Sequence, residues 1–409
     1  MKPICSTENF TDFSQYDCIY VDKTEYIYNL ALLPNRIFIS RPRRFGKSLT
    51  LNTIATLFES GIDPYFKGTW IYDKWKDTTY PVLRINLVNY AIKDLNKFKL
   101  QLTDYITAFA NKHHVEGYIA NGEPNVAIKN LLDSLNDAKR KIVVLIDEYD
   151  CQMTANINNP DLYNDFKDCL REFYGAIKGK AAIRFLGVTG VTRLKNVSIF
   201  SVGSDIDDIT NDSSYSQLIG FTKDEIKKFY IDYLKLATAY EYNIKEENVT
   251  DEQLESMLDK LAQNYDGYCF DEDYEKKVFS TWSVNNFFQN VYKKKKVQFG
   301  EYWYSNGGVP SILANYLTSH ELNIFDFLNK DIIVKVTDDE FENPTALTDI
   351  NQSVLMCQTG YLTLRSSVTD SNIIALGIPN GEVYKALNKL LAAKFFKEKI
   401  DVTNIANEN

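Results

Sequence analysis

Gly46-Lys47-Ser48 places a residue without a side chain, a cation and a hydroxyl at consecutive positions. Such a triplet suits a polyphosphate. Backbone N–H groups face the phosphate oxygens, the lysine neutralises their charge, and the serine hydroxyl binds Mg2+. Further along stands an acidic pair, Asp147-Glu148. Its aspartate can hold the metal through water, and its glutamate can polarise an attacking water. The triplet alone is weak evidence, because so short a match arises often by chance. The glycine that opens the usual longer motif is also replaced here by Arg41.

For these groups to meet, each must sit at the end of a strand. Ile37, Phe38 and Ile39 form an apolar run too short for a helix and suited to a buried parallel strand. Pro42 stops it by lacking a backbone donor. From Gly46 the spacing of Leu49, Ile54, Leu57 and Phe58 turns helical, and strand, tight loop and helix is the layout of a phosphate-binding loop. Residues 141–150 read K-I-V-V-L-I-D-E-Y-D, an apolar strand that presents Asp147 and Glu148 at the carboxyl edge, where open α/β sheets bind ligands. Residues 80–87 alternate as another strand, and 182–188 form a buried one ending in Thr189-Gly190-Val191-Thr192-Arg193. Thr189 at that tip can sense a γ-phosphate, and Arg193 can stabilise charge developing on it. Helices are expected over 95–111, 125–138 and 161–178. The alternation gives a doubly wound parallel α/β sheet. Arg36, Arg41, Arg43 and Arg44 crowd the loop, where guanidinium forks suit phosphate or carboxylate clamps.

With 409 residues, 44% of them hydrophobic, the chain has room for roughly two or three domains. Its net charge of −9 disfavours non-specific coating of nucleic acid without excluding a local site. Cys5, Cys18, Cys151, Cys169, Cys269 and Cys357 are scattered without a C-x-x-C, and His113, His114 and His320 lack zinc-type spacing. A reducing cytoplasm is therefore the expected compartment. No signal-like core and no run approaching about 18 apolar residues points to a membrane.

The first domain is expected over 1–220. Near its start Asp22 and Glu25 are spaced as a capping box for a helix running to about Leu33. Helical patterns over 222–237, 250–263 and 282–292 predict a helical lid at 221–330. Between them 264–270 is an aromatic turn expected to pack in the core, and the lysine run 293–296 reads as a solvated helix end. Over 331–409 a helix near 347–357, strands at 359–364 and 373–378 around a polar turn 367–372, and a last helix 381–396 predict a small α+β, winged-helix-like module. Such a module touches DNA or caps the preceding domain, and the acidic balance favours the cap.

Several motifs carry a resemblance when taken together: Tyr20-Val21-Asp22-Lys23-Thr24, Ser40-Arg41-Pro42-Arg43-Arg44-Phe45-Gly46-Lys47-Ser48-Leu49, Asp147-Glu148-Tyr149-Asp150 and Gly220-Phe221-Thr222. Tyr265-Asp266-Gly267-Tyr268, Gln358-Thr359-Gly360-Tyr361-Leu362 and Ile378-Pro379-Asn380 extend it over nearly the whole chain. The chain resembles the bacterial family of predicted AAA-ATPase-like proteins, with R-P-R-R-F-G-K-S as the most specific part. The family carries an arginine where Arg41 stands, so the missing glycine is its own variant. The resemblance implies a P-loop domain of the additional-strand type, a helical lid and a small C-terminal module. Many relatives continue into a PD-(D/E)XK nuclease domain; here Glu275-x-Lys277 is the only faint counterpart, and the expectation is that the nuclease is either absent or truncated away.

The combined reading is Mg-dependent ATP binding with slow hydrolysis, used as a switch. Arg43, Arg44, Phe45, Gly46, Lys47, Ser48, Leu49 and Thr189 are expected to bind the nucleotide. Ser48 and Asp147 are expected to hold Mg2+, while Lys47, Glu148 and Arg193 act in catalysis. ATP and ADP are the expected ligands, with a protein partner left open, nucleic acid not indicated by charge, and no membrane. The alternatives are a nucleotide-binding scaffold without meaningful hydrolysis and a nucleic-acid-processing protein. GTP is disfavoured because Asn329-Lys330-Asp331 lacks the N-K-x-D spacing, and a small-molecule kinase would use the Asp147-Glu148 pair less well than water activation does.

Overall fold

The computed structural model describes residues 1–119, 122–194, 205–305, 311–319, 331–344, 347, 350–367 and 372–392. Strands β1 (Asn35–Ser40), β2 (Val82–Asn86), β3 (Ile142–Asp147), β4 (Ile183–Gly190) and β5 (Asp207–Asp208) form one sheet in the order β2-β3-β4-β1-β5. Every pairing in it is parallel. β3 and β4 are buried along their whole length, which their apolar runs allow and a sheet covered on both faces requires. Helices Lys47–Ser60, Leu95–Lys112, Pro124–Asp137 and Pro160–Ile177 alternate with the strands. Asp94 and Asn159 cap two of them by accepting the N–H of Lys97 and Leu162, and Pro124 and Pro160 open two helices where no donor is needed. β4 lies between β1 and β3, as the additional-strand arrangement requires. The phosphate-loop strand and the acidic strand thus stand one strand apart, with the tip of β4 between them.

A second core is helical, built from Lys223–Phe229, Ile231–Tyr242, Asp251–Tyr265 and Thr281–Lys294. The single helix expected over 222–237 is two, interrupted at buried Tyr230, whose ring stacks on Phe288 at 5.3 Å. The C-terminal part joins the large core of the sheet. Its strands Ile333–Thr337, Ile373–Gly377 and Thr363–Ser367 make an antiparallel sheet, with the middle one paired to both others, beside helices Gln352–Gln358 and 381–392. Ile333–Thr337 escaped the sequence reading because it is mostly solvent-facing and carries little of a buried strand's pattern. Within the polar turn 367–372, residues 368–371 lie outside the described residues, as do His320, Asn329, Lys330 and the last helix beyond 392.

The expected capping box at Asp22 is not formed. Asp22 Oδ1 accepts the N–H of Thr24 at 2.9 Å and its Oδ2 accepts that of Trp70 at 2.6 Å, fixing the 69–71 turn instead. Its neighbour Lys23 ties the N-terminal region to the helical core. Lys23 Nζ donates to Glu225 Oε1 at 2.6 Å and to the Gln217 carbonyl at 2.7 Å, with the two side chains only 10% and 18% exposed. Burial lowers the Lys23 pKa and the Glu225 charge opposes that. Glu225 also closes a capping box with Thr222. Lys23→Met is expected to strand this carboxylate and cost about 3 kcal/mol in chemical denaturation; Lys23→Met with Glu225→Gln should recover part of it.

The structure joins Cys5 to Cys18, with Cα atoms 5.8 Å apart, a pairing that the scattered spacing did not suggest. Cysteine usage therefore no longer argues for a reducing compartment. Among the described residues, no helix is long and apolar enough to cross a membrane.

Candidate functional site

After β1 the chain turns through 41–46 and enters helix Lys47–Ser60. Gly46 takes φ 108°, in the left-handed region. A Cβ there would meet nothing within 4 Å, so conformation and not space calls for glycine. Lys47 is 4% exposed, and its ammonium folds back over the loop. It donates to the carbonyls of Arg41 and Pro42 at 3.1 and 3.4 Å and lies 3.6 Å from Glu148 Oε1. Ser48 Oγ donates to Asp147 Oδ2 at 2.6 Å, and the Thr189 hydroxyl donates to Asp147 Oδ1. The ends of β1, β3 and β4 thus bring Lys47, Ser48, Asp147, Glu148 and Thr189 together. Glu148 is held at φ 53°, a conformation that costs a non-glycine residue about 1–3 kcal/mol. It turns the chain out of β3 where the carboxylate meets Lys47.

A cavity of about 620 Å3 opens over the loop. Arg43, Gly46, Lys47, Ser48 and Glu148 line its polar end; Ile19, Val21, Leu218, Ile219 and Phe221 form apolar walls. A second cavity, of about 500 Å3, shares Ser48 and holds Asp147. Leu49 and Phe45 also border the first, and Phe45 is buried edge-on against Tyr268 at 4.7 Å, anchoring the loop to the aromatic turn. The N-terminal residues Cys5, Ser6, Thr7 and Glu8 form part of the cavity wall. Sequence reasoning missed them, because the segment carries neither motif nor periodicity. Burial, then the charges of Asp147 and Glu148, raises the Glu8 pKa, with Lys47 opposing.

The crowded arginines divide. Arg43 faces the cavity, and among the described residues no hydrogen bond or salt bridge engages its guanidinium. Arg44 also borders the cavity, but its guanidinium is engaged, donating to the carbonyls of Tyr302 at 3.1 Å and Trp303 at 2.6 Å and lying 5.1 Å over Trp282. Arg41 is 1% exposed, donates to the Ser40 and Thr210 carbonyls at 2.8 and 2.6 Å, and stacks 4.2 Å over Phe270. Burial pulls its pKa down to about 9. Arg36 donates to the Lys180 carbonyl at 2.9 Å. Arg36 and Arg41 are structural ties outside that cavity, whereas Arg44 combines its ties with a place in the cavity wall.

Arg193 departs from expectation as well. It pairs with Asp208 on β5 and with Glu342, whose Oε2 is 2.6 Å away, in a small pocket it shares with Arg41 and not in the Lys47 cavity. Burial opposes its charge, but Asp208 and Glu342 outweigh that and raise its pKa. A largely buried guanidinium takes the nearest carboxylates, and β5 and helix Asp338–Glu342 supply them.

The loop is also gripped from the C-terminal side. Thr281 Oγ1 donates to the Arg44 carbonyl at 3.1 Å and Trp303 Nε1 to that of Arg43 at 3.3 Å. A Cβ on Gly360 would lie 2.9 Å from Pro42 Cβ, so only glycine lets this turn approach. Behind Trp303, Glu382 is 2% exposed and accepts the Trp303 N–H at 2.8 Å and the Ser283 hydroxyl at 2.7 Å. Burial pushes its pKa from 4.5 up to about 7. A carboxyl that holds its proton more tightly when folded stabilises the fold fully below its unfolded pKa and loses that contribution as pH rises through the folded one. Glu382→Gln should therefore gain on the parent protein between pH 4.5 and 7, by up to about 3 kcal/mol. Urea denaturation across that range reads the difference.

The family described as predicted AAA-ATPase matches residues 4–200. An uncharacterized protein in the vnfD 5' region of Azotobacter chroococcum mcd 1 is 29% identical over 391 residues, 94% of this chain and 69% of that protein. Among solved structures, Cdc6p from Pyrobaculum aerophilum aligns at TM-score 0.28 and 11% identity, covering 96% of this chain and 97% of the other. The Aeropyrum pernix Orc1 protein in complex with DNA aligns at TM-score 0.31 and 10% identity, covering 91% and 93%. Its phosphate loop and acidic strand end lie within the segment, residues 4–200, that matches the family described as predicted AAA-ATPase, and over that segment the chain is similar to it.

Proposed function

We propose that the protein binds ATP with Mg2+ and hydrolyses it slowly, using the bound and hydrolysed states as a switch. The observation that carries this reading is the meeting of Lys47, Ser48, Asp147 and Glu148 at one end of a cavity large enough for a mononucleotide. The apolar walls suit a base, and the loop N–H groups and the start of helix Lys47–Ser60 suit the phosphates. Ser48 and Asp147 fit Mg2+: they offer hard oxygens already paired at 2.6 Å. Among the described residues no group of three or more acids, histidines or cysteines could hold a metal unaided, which agrees with an ion that takes a couple of protein oxygens and completes its shell with phosphate and water. When bound, the ion neutralises charge on the phosphates.

On nucleotide binding, Lys47 exchanges the carbonyls of Arg41 and Pro42 for phosphate oxygens. Released from that ion pair, Glu148 orients water and accepts its proton, and Arg43 adds positive charge from the loop. Phosphoryl transfer depends mainly on such positioning. A second reading, a nucleotide-binding scaffold, is favoured by the engagement of Arg193 with Asp208 and Glu342, which removes one source of charge stabilisation and is consistent with slow turnover. Phosphate release from ATP by purified protein decides between them: turnover that disappears with Glu148→Gln supports hydrolysis, and none above background leaves the scaffold.

A further inference from the structure

The N-terminal strap, residues 3–9, is the wall of the site that no motif explains, and it is fastened on several sides. Cys5 is bonded to Cys18. Gln289 of lid helix Thr281–Lys294 donates to the Ile4 carbonyl at 3.0 Å. Thr7 Oγ1 donates to Asp12 Oδ2 at 2.7 Å, and the N–H of Phe10 donates to Asn52 Oδ1, on the helix after the phosphate loop, at 3.0 Å. Between these anchors Glu8 borders both cavities, the one holding Lys47 and Glu148 and the one holding Asp147; Ser48 is likewise common to the two. Among the described residues no hydrogen bond or ion pair engages the Glu8 carboxylate. Its charge acts on Asp147, Glu148 and Lys47.

Glu8, Asp147 and Glu148 set three carboxylates against Lys47 and Arg43, a balance that makes this end of the site unwelcoming to a bare triphosphate. The same charges favour a triphosphate that carries a divalent cation. Building on the ATP reading, we propose that Glu8 is a positioning and selectivity residue, which makes nucleotide binding conditional on Mg2+ by disfavouring the metal-free form. Glu8 acts by charge from the strap and not as a further member of a protein-only metal cluster. The strap thereby couples the lid, which it touches through Gln289, to the metal side of the phosphate site.

The test is the affinity of full-length protein for a fluorescent ATP derivative, measured with excess Mg2+ and with EDTA. In the parent protein Mg2+ is expected to tighten binding strongly. In Glu8→Gln and Glu8→Ala the ratio of the two dissociation constants should fall about five- to tenfold, mainly because binding in EDTA improves, while Glu8→Asp keeps most of the ratio. Tight Mg·ATP binding with the same ratio in the parent, Glu8→Gln and Glu8→Ala overturns the Glu8 assignment and leaves the ATP reading standing. Absence of binding by the parent protein in either condition overturns both.

Discussion

Lys47→Ala is expected to lose ATP binding by about a hundredfold or more while the protein stays folded. Lys47 is 4% exposed, and among the described residues its ammonium is satisfied only by two loop carbonyls and Glu148 at 3.6 Å, a set of partners it can leave for phosphate. Charge-assisted hydrogen bonds are worth about 1.5–3 kcal/mol each. Losing those to two phosphates corresponds to about 3 kcal/mol or more, hence the hundredfold. The fold should tolerate the change, since the loop remains tied by Arg44 to Tyr302 and Trp303 and by Phe45 to Tyr268. Isothermal titration with Mg·ATP, alongside a thermal midpoint within a few degrees of the parent's, checks both halves of the expectation.

Glu148→Gln should separate binding from chemistry. The side chain keeps its size and its place beside Lys47, so affinity for Mg·ATP is expected to be unchanged or tighter with one negative charge removed near the phosphates. Turnover should fall by about 10²-fold or more, the usual worth of a positioned general base. The left-handed backbone at φ 53° supports this role: strain kept at a residue that makes few structural contacts is what a working site retains. Phosphate release at saturating ATP measures the effect, and turnover equal to the parent's would remove Glu148 from the chemistry.

The legible part of this molecule was the part written in local pattern. The apolar runs of β1, β3 and β4 and the helices between them follow from periodicity, and their carboxyl ends carry Lys47, Ser48, Asp147, Glu148 and Thr189 to one place. What the pattern could not say is where long, flexible side chains go. Arg36, Arg41, Arg44 and Arg193 look alike in sequence beside a phosphate loop. Their partners include the Lys180, Thr210, Tyr302 and Trp303 carbonyls and the Asp208 and Glu342 carboxylates, most of them distant along the chain. The strap around Glu8, the Cys5–Cys18 bond and the exposed strand Ile333–Thr337 were hidden for a related reason. Each depends on tertiary neighbours and leaves little periodic trace. The motif Asp22-Lys23-Thr24, by contrast, was visible but misread: its acid fixes the Trp70 turn and its lysine latches onto Glu225.

A crystal structure with a non-hydrolysable ATP analogue and Mg2+ tests the central claim most directly. The account predicts the triphosphate against the loop N–H groups, within reach of Lys47, with the metal beside Ser48 and Asp147 and Glu148 facing the γ-phosphate. An analogue seated elsewhere, with Lys47 still closed onto Arg41, Pro42 and Glu148, would contradict it.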